Sequence, residues 1–160
     1  MPSILIICTA NQCRSPMAMA LLRKRLEDLD LEGEWVVDSA GTWGFDGIPA
    51  TDNAIQAMQE RGLDLGQHLS RKVNEGLLSS YDLVLTMESF HKEALQVEFP
   101  EFAEKVYMLS EMIGEEWDIK DPVGQPLDDY LDTAELIDRT LEQGMERILE
   151  LARSNASHQG

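Results

Sequence analysis

The chain has 160 residues, of which 43% are hydrophobic and 27% charged, a composition typical of one globular domain rather than of a disordered or fibrous protein. Lys and Arg total 13 residues and Asp and Glu total 30, so the formal net charge is −17. A surface this acidic repels phosphate backbones and anionic lipid headgroups, which argues against binding to nucleic acids or membranes.

Cysteine usage and the start of the chain indicate a cytoplasmic protein. Two cysteines do not make a disulfide scaffold. The apolar run at 4–7 is too short for a signal peptide or a membrane span. We expect one domain over residues 1–153 and a flexible tail over residues 154–160, where polar residues dominate.

The hydrophobic pattern predicts strands and helices in alternation. In chain order the predicted elements are a strand at 4–7, a helix opening at 15–16, a strand at 35–37, a helix at 54–62, a strand at 83–85, a helix at 88–97, a strand at 106–109 and a long helix around 137–149. Ser15 followed by Pro16 predicts the N-cap and first turn of the first helix. Such alternation indicates an α/β fold with parallel strands, in which ligands bind at the carboxyl ends of the strands.

The loop between the first strand and the first helix carries the strongest chemical signal. Its residues are Cys8, Thr9, Ala10, Asn11, Gln12, Cys13, Arg14 and Ser15. Backbone N–H groups in such a loop, together with the helix N-terminus, can surround an anion and favour a cysteine thiolate. Arg14 offers a planar fork for two phosphoryl oxygens, and Ser15 can donate to the sulfur of Cys8. The loop therefore predicts a nucleophile inside a phosphate cradle.

With Pro16 included, this loop resembles the nucleophile loop of the low-molecular-weight protein tyrosine phosphatase family. The other matching segments are Asp38-Ser39-Ala40-Gly41-Thr42, His68-Leu69-Ser70-Arg71, Asp82-Leu83-Val84-Leu85-Thr86-Met87 and Asp121-Pro122. The resemblance spans roughly residues 3 to 150. It implies an open four-stranded parallel sheet flanked by helices, with the phosphate-binding loop after the first strand.

The resemblance also implies a role for individual residues. Cys8 attacks phosphorus, Arg14 and the loop amides bind the non-bridging oxygens, and Asp121 acts first as general acid and then as general base. Four side chains match family positions that support the nucleophile loop by hydrogen bonds: those of Asn11, Ser15, Ser39 and His68. The family reaction needs neither a metal nor a cofactor.

The two cysteines of the loop suggest a redox property. Cys8 and Cys13 lie close in the chain on one curved loop, so peroxide could join them in a reversible disulfide that protects Cys8 from over-oxidation. The alternative is that Cys13 only fills space behind the loop.

Several positions depart from the family pattern and concern the substrate pocket. Ala10 stands where the family usually has glycine. Gln12 replaces both the isoleucine common in tyrosine phosphatases and the threonine of arginine phosphatases. Val123 follows Asp121-Pro122 where other members have a tyrosine, so one aromatic wall of the substrate pocket is missing. Trp43 and Phe45 are the candidates for the opposite wall of the pocket, with ordinary packing as the alternative for both.

These observations give a leading function and three alternatives. We expect hydrolysis of phosphotyrosine in proteins, ahead of phosphoarginine on the same scaffold. Thiol-coupled arsenate reduction needs further cysteines that this sequence lacks, and a non-catalytic phosphate-binding module would not need Asp121. The predicted partner is a phosphorylated protein, without nucleic acid or membrane, and the predicted state is a monomer or weak dimer.

Overall fold

The computed structural model describes residues 1–158 and contains a central sheet with helices on both faces. The strands are β1 (Ser3–Cys8), β2 (Val36–Gly41), β3 (Leu83–Thr86) and β4 (Val106–Met108). The α-helices are α1 (Arg14–Asp28), α2 (Asp52–Gln59), α3 (Glu75–Ser80), α4 (Ser89–Glu98) and α5 (Leu127–His158), and 3-10 turns flank β4 at Pro100–Lys105 and Leu109–Ile113.

The four strands are parallel and lie in the order β2-β1-β3-β4. The chain leaves β1 toward β2 on one side and later returns to place β3 on the other side. Ligands of open α/β sheets bind at this kind of reversal. The predicted α/β fold with an open four-stranded parallel sheet is confirmed, and the loop after β1 occupies the reversal point.

Strand β1 is buried along its whole length because helices cover both faces of the sheet. Ile4 and Ile6 point into a core shared with residues of α1, α2 and α5. Leu5 and Ile7 point to the opposite face, into a core shared with residues of α3 and α4. This alternation holds β1 rigidly, and with it the first residue of the loop that follows.

Two segments differ from the sequence predictions. Helix α3 was not predicted, since only Leu78 of its residues is buried and no helical stripe of apolar residues marks it. Residues 154–158 are helical rather than a flexible tail, because α5 continues to His158 and Asn155 Nδ2 donates to the Asp82 carbonyl at 2.9 Å. The end of the predicted tail, 159–160, lies outside the described residues.

No helix within residues 1–158 combines the length and the apolar character that a bilayer span needs.

Candidate active site

The sulfur of Cys8 lies at the buried end of β1, and the side chain of Ser15 faces it. The two atoms Cys8 Sγ and Ser15 Oγ are 3.0 Å apart. Asn11 Nδ2 donates to Ser15 Oγ at 2.9 Å, which leaves the hydroxyl hydrogen of Ser15 free to point at the sulfur. The hydroxyl of Ser15 is therefore placed to donate to the sulfur of Cys8.

The predicted N-cap at Ser15 is wrong. Helix α1 already begins at Arg14, its N-cap position is Cys13, and no side chain caps it. The hydroxyl of Ser15 is engaged with Cys8 and Asn11 instead. The first-turn N–H groups of α1 are thereby left available to an anion in the loop.

Asn11 fixes the curvature of the loop. Its backbone is left-handed, with φ of 61°, a conformation that asparagine tolerates better than most residues. The buried side chain also donates to Ser39 Oγ at 2.9 Å, and its Oδ1 accepts the backbone N–H of Arg71 at 3.0 Å. The carbonyl of Asn11 accepts from His68 Nε2 at 2.7 Å. The predicted bracing residues therefore meet around Asn11: Ser15 and Ser39 lie at its side chain and His68 at its backbone carbonyl.

Burial lowers the pKa of His68 below its ordinary value. The imidazole is therefore neutral at physiological pH and carries the hydrogen on Nε2 that the bond to Asn11 requires.

The approach of β2 to the loop requires a glycine. Thr42 N–H donates to the carbonyl of Cys8 at 3.0 Å, and Trp43 N–H donates to the carbonyl of Thr9 at 2.9 Å. A Cβ at Gly41 would collide with the carbonyl oxygen of Thr9. The end of β2 therefore lies against the backbone of the loop and supports it from one side.

Arg14 is 1% exposed and is held from two sides. Its Nη1 donates to Glu88 Oε1 at 2.7 Å and to the carbonyl of Ile119 at 2.6 Å. Its Nε is the one buried side-chain nitrogen or oxygen within residues 1–158 that has no hydrogen-bond partner. Buried N–H groups are nearly always paired, so this donor indicates an anionic ligand.

Asp121 lies beside the guanidinium, on the loop before α5. Its Oδ2 is 3.5 Å from Arg14 Nη2, and its Oδ1 accepts the N–H of Val123 at 3.0 Å. The second contact closes a tight turn that aims the carboxylate at the nucleophile loop. The structure thus places Asp121, which is far away in the sequence, beside the loop that carries Cys8 and Arg14.

Residues 3–154 match the family model described as low molecular weight phosphotyrosine protein phosphatase. This chain belongs to that family. The predicted enzyme class, a phosphomonoester hydrolase, is therefore confirmed.

Two kinds of relative resemble this phosphatase. One is the Ralstonia nicotianae protein named "Probable low molecular weight protein-tyrosine-phosphatase EpsP", which is 35% identical over 93% of this chain and 97% of that protein. Another is the protein-arginine-phosphatase of Bacillus subtilis, 36% identical over 88% of this chain and 92% of that protein. A solved structure of YwlE arginine phosphatase, a mutant with a phosphorylated active-site serine, superposes with a TM-score of 0.88 at 33% identity and covers 96% of this chain and 99% of that one.

The predicted pocket walls of the phosphatase are exposed. Trp43 is 74%, Phe45 81% and Val123 57% exposed, so their side chains are free to contact a substrate. The alternative of ordinary packing is wrong for Trp43 and Phe45. Gln12 is half-buried, and its side-chain amide makes no hydrogen bond to any residue from 1 to 158.

Cys13, the second cysteine of the phosphatase loop, is buried between two hydroxyl groups. Its sulfur contacts Thr51 Oγ1 and Tyr130 OH, each at 3.6 Å, and burial raises the pKa of the thiol. Both Cys8 and Cys13 are free thiols in the structure. The protective disulfide between them stays a prediction.

Sequence analysis missed the start of α4 as part of the phosphatase site. Glu88 pairs with Arg14, and His91 Nε2 lies 2.8 Å from Thr9 Oγ1. One signal was present in the sequence. Both residues follow β3, the strand next to β1, so the carboxyl ends of these strands place them beside the nucleophile loop.

We expect His91 to make this phosphatase less stable in mild acid. Burial, followed by the nearby charge of Arg14, lowers the pKa of His91 from 6.5 to about 4, against a smaller opposite effect of Asp118. Between these values the unfolded chain binds a proton that the folded chain does not, so the free energy of unfolding falls as the pH drops from 6.5 to about 4. The total loss is about 3 kcal/mol at 1.36 kcal/mol per pKa unit.

Denaturant unfolding at pH 7, 5.5 and 4.5 measures this loss. His91→Gln is the control, since it removes the titrating group but keeps a polar side chain. A pH dependence of equal slope in both proteins would show that His91 is not held neutral.

Proposed function

We propose that this phosphatase hydrolyses phosphotyrosine in proteins through a cysteinyl-phosphate intermediate. The observation that carries the proposal is the position of Cys8 Sγ, 3.0 Å from Ser15 Oγ. The same loop holds Arg14, whose Nε has no hydrogen-bond partner within residues 1–158. A nucleophile and donors for the phosphoryl oxygens thus share one rigid loop.

In the first step Cys8 Sγ attacks phosphorus and the bond between phosphorus and the phenolic oxygen breaks. Asp121 gives its proton to that oxygen, so tyrosine leaves as a neutral phenol. Arg14 Nε and Nη2 bind two non-bridging oxygens, because Nη1 is already occupied by Glu88 and Ile119. The loop amides and the α1 N-terminus bind the remaining charge.

In the second step water attacks phosphorus and the bond between phosphorus and sulfur breaks. Asp121, now a carboxylate, takes a proton from the water and returns to its acid form. Inorganic phosphate leaves, and the sulfur of Cys8 leaves as a thiolate that Ser15 stabilises. The loop supplies every charged group of this cycle except Asp121.

Trp43 favours an aromatic substrate. The residue is exposed, and its backbone is hydrogen-bonded to the carbonyl of Thr9 in the loop itself. A phosphotyrosine ring entering the cradle can stack on the indole, which is worth about 0.5–1.5 kcal/mol beyond its buried area.

Protein phosphoarginine is the second candidate substrate. The observation that favours it is the free amide of Gln12, whose oxygen can accept a hydrogen bond from a guanidinium. The Bacillus subtilis relative named a protein-arginine-phosphatase is as similar to this chain as the Ralstonia nicotianae relative named for phosphotyrosine.

Hydrolysis of phosphotyrosine and phosphoarginine peptides of one sequence, assayed in parallel with a chelator present, tests the proposal. We expect a higher kcat/KM for phosphotyrosine. Preference for phosphoarginine would replace the leading function by the second candidate, and no phosphate release from either would contradict both.

We further propose that the enzyme acts on phosphorylated proteins in the cytoplasm as a monomer or weak dimer. The low cysteine content supports a reducing compartment, because two cysteines do not make a disulfide scaffold.

Asp121→Asn tests the acid. We expect kcat for alkyl phosphates to fall about 10²- to 10⁴-fold, because their alkoxide leaving groups need the proton. With p-nitrophenyl phosphate the loss is smaller, since p-nitrophenolate leaves without protonation. Asp129→Asn, on the exposed first turn of α5, is a matched control for removing one nearby negative charge. Equal losses across a series of leaving groups would rule out the acid role.

Substitutions at Gln12 test the choice between phosphotyrosine and phosphoarginine. We propose that Gln12 lies at the pocket mouth, which its place in the loop and its half-buried position support. Gln12→Ile should raise kcat/KM for phosphotyrosine peptides through apolar contact with the ring, and Gln12→Thr should raise it for phosphoarginine peptides. Contacts of this size change discrimination by roughly 10- to 200-fold. If neither variant changes the ratio of the two activities, specificity lies in Trp43 and Val123 instead.

A further inference from the structure

The start of helix α4 contacts two residues of the nucleophile loop. Glu88 Oε1 binds Arg14 at 2.7 Å, and His91 Nε2 lies 2.8 Å from Thr9 Oγ1. The first contact holds the arginine. The second has no role in the steps described above, although it joins a fully buried imidazole to the residue directly after the nucleophile.

The hydrogen-bond partners of His91 define its tautomer. Its Nδ1 accepts the backbone N–H of Glu88 at 3.1 Å, so Nδ1 carries no hydrogen. In the neutral ring the hydrogen is therefore on Nε2, which donates to Thr9 Oγ1. The direction of this bond means that Thr9 is the acceptor, not the donor.

The hydroxyl of Thr9 consequently keeps its hydrogen available for one further hydrogen bond. Its oxygen accepts from His91 Nε2 and also lies 3.4 Å from Arg14 Nη2, which donates to it. A hydroxyl has two acceptor sites and one hydrogen, so both acceptor sites are engaged and the hydrogen remains. That hydrogen has no acceptor among residues 1–158.

We propose that the hydroxyl of Thr9 donates to a non-bridging oxygen of the bound phosphoryl group, and that His91 is the positioning residue that directs it there. The inference rests on the proposed function, because it concerns the same cradle. It adds a neutral side-chain donor to the loop amides and Arg14. Donation from His91 and Arg14 also polarises the hydroxyl, which strengthens its own bond to an anion.

Binding of inorganic phosphate, measured by calorimetry, tests Thr9 independently of turnover. Thr9→Val keeps the shape of the side chain and removes the hydroxyl, and we expect it to weaken phosphate binding about tenfold or more, as for loss of a bond to a charged group. Thr9→Ser, which keeps the hydroxyl, should restore most of the lost affinity. Parent-like phosphate affinity in Thr9→Val would overturn the proposal.

A double-mutant cycle tests the positioning role of His91. His91→Leu removes the donor, and we expect it to lower phosphate affinity about threefold to tenfold when Thr9 is present and by less than about twofold in the Thr9→Val background. His91→Gln retains an N–H donor at the position of Nε2 and should recover affinity. A purely structural role for His91 would give the same loss in both backgrounds and would overturn the proposal.

The same proteins separate this inference from the proposed function. A parent enzyme that binds phosphate but hydrolyses neither phosphopeptide would contradict the proposed function, while the Thr9 comparison would still test the hydroxyl. If His91→Leu does not fold, His91→Gln and the two Thr9 variants still decide the outcome. Thermal unfolding of each variant checks that the fold is retained.

Discussion

Cys8→Ser should abolish turnover, with kcat reduced roughly 10⁴-fold or more, while inorganic phosphate still binds. A serine hydroxyl stays protonated at neutral pH, and the one side chain hydrogen-bonded at this position within residues 1–158 is that of Ser15, which is not a base. The amides of the loop and the guanidinium of Arg14 survive the substitution, so the cradle keeps its affinity for an oxyanion. Stopped assays with p-nitrophenyl phosphate and calorimetry with phosphate measure the two effects.

Cys13→Ser is the matched control for that experiment. Cys13 lies in the same loop and is also buried, but its sulfur faces Thr51 and Tyr130. We expect it to cost far less activity than Cys8→Ser. Substantial turnover in Cys8→Ser, or equal losses of activity in the two variants, would show that Cys8 is not the nucleophile.

Arg14→Lys should lower kcat/KM roughly 10²- to 10³-fold, the usual cost of removing a donor to developing negative charge. An ammonium group cannot present two parallel donors to a phosphoryl group as a guanidinium does. The substitution also breaks the contacts of Nη1, so Glu88 loses its partner and the carbonyl of Ile119 loses its donor. Activity should therefore fall through both binding and geometry.

Arg139→Lys provides the comparison, because Arg139 is exposed on α5 and forms an ion pair with the exposed Glu135 of the same helix. We expect parent activity for that variant. Phosphate binding and kcat/KM measured on both variants separate a loss at the cradle from a general effect of exchanging arginine for lysine. An Arg14→Lys enzyme within a few-fold of the parent would contradict the bidentate role.

The sheet and the nucleophile loop could be predicted from the sequence because local patterns of residues indicate both. The apolar run of β1, the Cys8 and Arg14 spacing and the late Asp121-Pro122 turn are each contained in a short stretch of chain. The pattern of strands and helices then places the ends of the strands together. The proximity of Asp121 to Arg14 followed from this logic together with the family resemblance.

The remaining errors have physical causes that a short window of sequence cannot show. Ser15 followed by proline is a good cap signal, but Cys8 and Asn11 compete for the same hydroxyl. The contacts of Glu88 and His91 with the loop depend on register between β1 and β3. The last turns of α5 form because Asn155 finds the carbonyl of Asp82, a partner that composition does not reveal.

The contacts that hold the cradle also determine when, during folding, it can form. Arg14 reaches Glu88 across 74 residues and Ile119 across 105, and Cys13 reaches Tyr130 across 117. Closing loops of this length costs conformational entropy, and contacts offset that cost only once the strands and α5 have packed together. A chain in which these elements have not docked therefore lacks a complete phosphate cradle around Cys8. Recovery of p-nitrophenyl phosphate hydrolysis after denaturation then reports the last step of assembly rather than the first.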